Sequence, residues 1–281
     1  QIVKPKTDNP FVVGEDNAKN VKFDKDSNVT MKVDKVVPIK FSHIWIANSN
    51  EDTVSKLDTT TGDEVARYKV CSDPSRTAVD LIGDVWVACR SDGGVMKITN
   101  KKASCTDKNK DGKIDTAIDK NKNKKIEANE MMPYLKDECI DFIVYPEGKG
   151  NWNTVPRAAG VDKNNFAWIG FYYSDKLVKL HPATGKKMDT IKLGCSPYGL
   201  AIDQAGIIWI SGRGCNSLLR VDTKTKKVET IQHSKGSPYG ISVDTFGNVW
   251  MADTANYTSR YNPVTKKWAH VKHSMWSRGV A

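Results

Sequence analysis

Five tryptophans, Trp45, Trp86, Trp168, Trp209 and Trp250, recur at spacings of 41, 82, 41 and 41 residues, so one period governs most of the chain. Each sits in an apolar run, HIWIAN, DVWVAC, AWIGF, IIWISG or NVWMAD, that reads as a strand. Eleven positions later, or ten in the last copy, a basic residue stands inside a second strand: Lys56, Lys97, Lys179, Arg220 and Arg260. Polar turns such as DTTTGDE, HPATGKK and NPVTKK lead to a third strand. A fourth run, PSRTAVD, PRAAGVD, PYGLAID or PYGISVD, precedes every tryptophan but the first. Four short strands in 41 residues is the arithmetic of a propeller blade. The sequence predicts an all-β fold, a β-propeller of four-stranded blades, with five recognisable and six or seven expected.

A four-stranded blade cannot bury both of its faces alone, so neighbouring blades must cover them. The tryptophans read as the fillers between blades, because one indole buries a large apolar area. Asp80, Asp162, Asp203 and Asp244 close the strand before each tryptophan and read as Asx-type caps of the turn that follows. Residues 1–34 form an N-terminal extension and 35–281 the propeller. HSMWSRGVA at the C-terminus aligns 40 residues on with HSKGSPYGIS, so the sequence stops inside the first strand of a further blade. Truncation is the expectation there, against the alternative that N-terminal strands such as NVTMKVD complete the ring.

The doubled interval between Trp86 and Trp168 holds an insertion at residues 100–140, in the second recognisable blade. Asp107, Asn109, Asp111 and Asp115 occupy positions 1, 3, 5 and 9 of an EF-hand-type loop, Gly112 position 6, and Lys113 offers its backbone carbonyl at position 7. Alternate oxygen donors there converge on a hard cation, and the glycine permits the sharp turn between them. Position 12 is Ile118 rather than Glu, and the following Asp119 is the candidate for the missing carboxylate. Asp119 also starts a second period, with Asn121, Asn123, the Lys125 carbonyl, Glu127 and Glu130 as donors, Glu130 at position 12 and Lys124 where glycine belongs. Ca2+ is the expected cofactor of one or both loops; the other reading is a solvated polar loop.

Six cysteines with no C-x-x-C and no C-x-x-C-H argue against zinc knuckles, thioredoxin chemistry and c-type haem. Disulfides, and hence a secreted or cell-surface location, are the economical reading. Blade topology predicts the pairs Cys71–Cys89, Cys195–Cys215 and, at the base of the insertion, Cys105–Cys139. No apolar run approaches the ~20 residues of a membrane-spanning helix.

A net charge of +10 is spread over lysine-bearing blade turns (Lys186, Lys187, Lys224, Lys226, Lys227, Lys266, Lys267) and the insertion, not gathered in one stripe interleaved with aromatics. That distribution disfavours specific nucleic-acid binding. The scarce arginines behave differently. Arg76, Arg90, Arg157, Arg213 and Arg278 fall in loops or strand starts around one mouth of the central channel, joined by Tyr172, Tyr198 and Tyr239. Arginine and tyrosine together suit bidentate recognition of carboxylate or sulfate and stacking on sugar rings. The bland reading is a solvated mouth whose arginines pair with carboxylates such as Asp92 and Asp253.

SPYGLAID…WISG and SPYGISVDTFGNVWMAD resemble the NHL-repeat and virginiamycin B lyase-like propellers, over residues ~40–281, and HIWIANSNEDTVSKLDTTTGDEVARY is similar to secreted or surface bacterial members without assigned activity. The lyases of that superfamily imply a His in a Pro-His-Gly phrase, Glu residues after the tryptophan strand, and magnesium. Here the residue after the matching Pro is Ser75, Arg157, Tyr198 or Tyr239, and three residues after each tryptophan stand Asn48, Cys89, Phe171, Gly212 and Asp253. The acid/base pair of such an elimination is missing from every matching position. The expected function is therefore a calcium-binding β-propeller that acts as a binding or scaffold module, without catalysis. Its expected partner is a protein, an anionic polysaccharide or another cell-surface component, with self-assembly as a further reading. The alternative is a magnesium-dependent lyase whose site lies outside these residues.

Overall fold

A computed structural model describes residues 41–150 and 152–280, together with two short strands nearer the N-terminus. Those strands, β1 (Val21–Phe23) and β2 (Val29–Met31), pair antiparallel within a first unit, Gln1–Ser42. The side chains of the proposed N-terminal extension and of residues 35–40 lie outside the described residues.

The second unit, His43–Ala281, is a series of antiparallel sheets in chain order. The first has three described strands, β3 (His43–Asn48), β4 (Thr53–Asp58) and β5 (Glu64–Lys69). Four four-stranded sheets follow. They comprise β6 (Pro74–Val79), β7 (Val85–Cys89), β8 (Val95–Ile98) and β9 (Ile140–Val144); β10 (Pro156–Val161), β11 (Ala167–Phe171), β12 (Lys176–Leu180) and β13 (Lys187–Lys192); β14 (Pro197–Ile202), β15 (Ile207–Gly212), β16 (Ser217–Asp222) and β17 (Lys227–Gln232); and β18 (Pro238–Val243), β19 (Val249–Asp253), β20 (Tyr257–Asn262) and β21 (Lys267–Lys272). The first strands β6, β10, β14 and β18 lie beside one another, so the sheets radiate as propeller blades from a shared inner wall. Residues 274–280 carry no strand, although the Arg278 carbonyl comes so close to Gly240 in β18 that a Cβ there would sit 2.5 Å from it.

Four of the five repeat tryptophans fill the gap to the next sheet. Trp45 packs with Val85 and Val87, Trp86 with Ile169 and Phe171, Trp168 with Ile208 and Ile210, and Trp209 with Val249 and Met251. Those four are buried; Trp250, with no following sheet among the described residues, is half-buried. The closing aspartates do more than cap. In Asp162 one carboxylate oxygen accepts the Asn164 and Phe166 N–H groups while the other accepts the Trp168 indole at 2.8 Å, and Asp203 and Asp244 hold Trp209 and Trp250 in the same way. Asp80 departs from the pattern. Its second oxygen faces the Lys97 ammonium at 3.3 Å, and the Trp86 indole N–H is left without a partner.

The recurrent basic residue has a register explanation. Lys56, Lys97, Lys179, Arg220 and Arg260 stand directly opposite the five tryptophans on the adjacent strand. Their cationic heads lie 5.4 to 6.0 Å from the indole centroids, a cross-strand cation–π pair.

Three disulfides, Cys71–Cys89, Cys105–Cys139 and Cys195–Cys215, join the expected partners, with Cα separations of 5.7, 4.6 and 5.7 Å. They suggest an extracytoplasmic protein. Among the described residues no helix is long and apolar enough to cross a membrane.

Candidate functional site

Strand pairing delivers two sets of side chains to one mouth of the blades. In each sheet the opening proline pairs with the end of the second strand: Pro74 with Cys89, Pro156 with Phe171, Pro197 with Gly212. The residues just after the prolines include Arg157, Tyr198 and Tyr239, and those just after the second strands are Arg90, Tyr172 and Arg213. Both sets therefore project at the same end.

Tyr198 is the hub. The guanidinium carbons of Arg157, Arg213 and Arg76 lie 4.2, 4.8 and 4.9 Å from its ring centroid. Tyr172 meets the same ring edge-on at 6.0 Å, and the Tyr239 ring lies 4.3 Å away. Arg213 and Arg278 in turn approach Tyr239 at 5.2 and 5.7 Å. Arg157 donates to the Tyr198 hydroxyl, which donates to the Tyr239 hydroxyl at 2.7 Å. Arg76 is pinned by backbone, its Nε donating to the Arg157 carbonyl at 2.8 Å and its Nη1 to the Ser75 carbonyl at 2.7 Å. Beside this cluster opens a cavity of about 720 Å³, lined by Arg90, Arg157, Arg213 and the rings of Tyr172, Tyr173 and Tyr198.

Positive charge in this cavity is under-compensated. Asp73, which the sequence reading had not singled out, pairs with Arg90. Among the described residues no carboxylate forms an ion pair with Arg76, Arg157, Arg213 or Arg278. The carboxylates thought of as partners are engaged elsewhere. Asp92 accepts the Gly94 N–H at 2.9 Å, and Asp253 is fully buried, accepting the Ser259 hydroxyl at 2.6 Å and lying 3.4 Å from His233. Burial, with the neighbouring charges of Arg76 and Arg90, pushes the Arg157 guanidinium down to about 10. Arg76 is lowered by its own burial, against a partly offsetting contribution from Tyr239. The Nε atoms of Arg90 and Arg157 are buried without a hydrogen-bond acceptor. The arrangement is one of donors in excess of acceptors, in a partly dry site where each missing acceptor costs free energy.

The insertion contains two loops of matching backbone. In the first, Asp107 accepts the Lys110 and Gly112 N–H groups, Asn109 that of Asp111, and Asp111 that of Lys113. In the second, Asp119 accepts from Asn123 and Lys124, Asn121 from Asn123, and Asn123 from Lys125. Gly112 and Lys124, at the sixth positions, both take left-handed φ values of 82° and 69°, so the lysine adopts the glycine conformation at a strain of order 1 kcal/mol. Glu130 closes the second loop: its carboxylate accepts the Lys120, Asn121 and Glu127 N–H groups at 2.8, 3.2 and 3.0 Å.

The carboxylate that closes the first loop is Glu138, not Asp119. It accepts the Lys108, Asn109 and Asp115 N–H groups at 2.8, 3.1 and 2.8 Å, which are positions 2, 3 and 9, the same three that Glu130 takes. These backbone donors hold both glutamates below the usual carboxylate range. Asp119 belongs to the second loop alone. Glu138 reaches back because the chain returns to the blade at Cys139, which is bonded to Cys105. An all-oxygen donor set of carboxylates, amide oxygens and one backbone carbonyl per loop fits a hard cation of calcium's size.

No family model matches the chain, and no curated protein matches its sequence. Solved structures do match in shape. A streptogramin B lyase structure aligns with a TM-score of 0.63 at 14% identity, covering 94% of this chain and 80% of its own. A catalytically inactive virginiamycin B lyase from Staphylococcus aureus, solved with quinupristin, gives 0.58 at 12% identity, covering 92% and 72%. Hydrazine synthase of Kuenenia stuttgartiensis gives 0.59 at 12% identity, covering 82% and 63%. The chain shares a β-propeller-like fold with these proteins. At these identities the likeness extends to the fold alone.

Proposed function

We propose that this chain is a calcium-binding propeller of the cell exterior that works as a binding module, taking an anionic ligand at the arginine and tyrosine mouth. The observation that carries the reading is the cluster of guanidiniums around Tyr198 with a single carboxylate, Asp73, paired at its edge. A site of this kind is stabilised when an anion brings the missing acceptors. The two insertion loops supply the calcium sites, with Glu138 and Glu130 as the closing carboxylates of the first and second loop. The propeller provides a rigid inner wall that fixes the guanidiniums before the ligand arrives, which lowers the cost of ordering them on binding.

The test is equilibrium binding of fluorescent polyanions, dextran sulfate and polygalacturonate, with neutral dextran as the blank, at low salt and with calcium present. The account expects at least one polyanion to bind the wild type, and Arg213→Gln to weaken it by about tenfold, the value of one lost charge-assisted contact. Equal binding of neutral dextran, or no binding of either polyanion, contradicts it. Magnesium-dependent turnover of a streptogramin would instead point to lyase chemistry.

A further inference from the structure

The anion site described above also shows which anion it is built for. Resting on that reading, we infer that the ligand's charged group is a tetrahedral oxyanion ester on a ring-sized carrier rather than a carboxylate, with a phosphate monoester, the dianion, a better match than a singly charged sulfate ester.

Three features of the cavity lead there. The first is the direction of its hydrogen bonds. A guanidinium can only donate. Tyr198 must therefore accept from Arg157 and pass its own proton to Tyr239, whose proton has no acceptor among the described residues. Among the described residues the Arg157 Nε is buried without an acceptor, and no carboxylate forms an ion pair with Arg213. Asp73 and Ser91 also line the cavity, but Asp73 is engaged by Arg90 and by the Ser91 hydroxyl, so what the arginines and Tyr239 offer an incoming ligand is donors, and an acceptor-only group is favoured over amines, amides and zwitterions.

The second is charge. Arg90, Arg157 and Arg213 line the cavity and Arg76 packs behind them on Tyr198, against Asp73 alone. A carboxylate or a sulfate monoester, each a monoanion, would leave two positive charges uncompensated in a partly buried cluster, and a phosphate monoester dianion leaves one.

The third is the spread of the donors over the fold. Arg90 follows β7, Arg157 comes from the start of β10 and Arg213 from the turn after β15, three cavity-lining donors on separate blades, with the Tyr239 hydroxyl beside them at the start of β18, bonded to Tyr198. A carboxylate has two oxygens in one plane and is best matched by a single arginine fork. A tetrahedral ester has three free oxygens aimed apart, one for each element. The cavity's about 720 Å³ far exceeds a bare oxyanion, and the edge-on pair of Tyr172 and Tyr173, with centroids 4.9 Å apart, provides an aromatic wall for the carrier.

The experiment is isothermal titration of the calcium-loaded wild-type chain at low ionic strength with glucose 6-sulfate, glucose 6-phosphate and glucuronate, three probes that share a sugar ring and differ in the anion. Glucose 6-phosphate, the dianion, is expected to bind about tenfold more tightly than glucuronate, with glucose 6-sulfate, a tetrahedral monoanion, between them. Glucose 6-sulfate binding more tightly than glucose 6-phosphate overturns the charge argument. Arg213→Gln and Tyr239→Phe should each weaken ester binding several-fold, whereas Lys267→Gln, on an outer strand, should not. Glucuronate binding as tightly as the esters overturns the oxyanion inference and leaves the anion-binding reading standing. Absence of binding by all three probes and by the polyanions overturns both. An equal loss in Lys267→Gln would show diffuse attraction to a basic chain and also overturns the inference.

Discussion

Replacing Glu138 by glutamine separates two sources of stability in the insertion, the internal hydrogen bonds of the first loop and the cation that it is proposed to hold. Glu138 accepts three backbone N–H groups. Glutamine keeps one acceptor oxygen and loses the charge, so the calcium-free protein should lose about 1–3 kcal/mol. The calcium term is separate. A site saturated at a hundred times its Kd adds about 2.7 kcal/mol. For a folded unit of this length each kcal/mol moves Tm by about 2–4 °C, which gives roughly 5–10 °C per occupied loop. Thermal unfolding of the wild type in EDTA and in excess calcium should show the sum of two such shifts, and Glu138→Gln about half of it. Calorimetric titration should count two sites in the wild type and one in the variant. Asp119→Asn should remove the other site, leaving the first loop's affinity unchanged. The reasoning is refuted if Glu138→Gln keeps both sites and the full thermal shift, or if Asp119→Asn abolishes both.

Three further outcomes follow from the blades. Asp203→Asn turns an amide NH2 or a weaker acceptor toward the Trp209 indole and should cost about 1–3 kcal/mol in urea unfolding, while Asp80→Asn should leave the Trp86 indole's environment unchanged by fluorescence, because Asp80 holds Lys97 instead. Burial, opposed by the nearby Asp84 charge, brings the Lys56 ammonium down to about 8. The unfolded chain, with its ordinary lysine, then binds more protons than the folded one between pH 8 and about 10.4, so this residue's contribution to stability rises with pH across that window. The full span corresponds to about 3 kcal/mol, reduced by solvent screening to about 2; urea midpoints at pH 7.5 and 9.5 should show a rise in the wild type that Lys56→Met lacks. Removing the Cys195–Cys215 bridge, which closes a sequence separation of 20, by the double serine variant should cost about 3 kcal/mol in chemical unfolding.

The blade architecture was legible because the repeat places the same residue types at the same strand positions. The tryptophans, the capping aspartates and the mouth residues after each proline all recur at 41-residue steps. The disulfide pairs followed from the same topology. The role of the basic residue after each tryptophan was not legible from spacing alone, since it depends on cross-strand register, which the sequence shows only once the strands are paired. Glu138 escaped for a different reason. Its loop ends at Asp115, and the chain makes a complete second loop before the carboxylate returns, so a twelve-residue template cannot find it. The acidic pair Asp137 and Glu138 immediately before Cys139 was the available signal. Asp73 was equally hidden, because its pairing with Arg90 joins two loops brought together by the β6–β7 register. The choice between a neutralised and an unneutralised arginine mouth rested on Asp92 and Asp253, and only packing shows that both are engaged elsewhere.

The central claim, an oxyanion held among the mouth arginines, is tested most directly by crystallography with selenate, a tetrahedral dianion whose anomalous scattering locates it without ambiguity. The account predicts a peak within hydrogen-bonding distance of Arg157, Arg213 and the Tyr239 hydroxyl, lost in crystals of Arg213→Gln. Selenate found only beside the lysines of the outer blade turns, with the mouth empty, would contradict it.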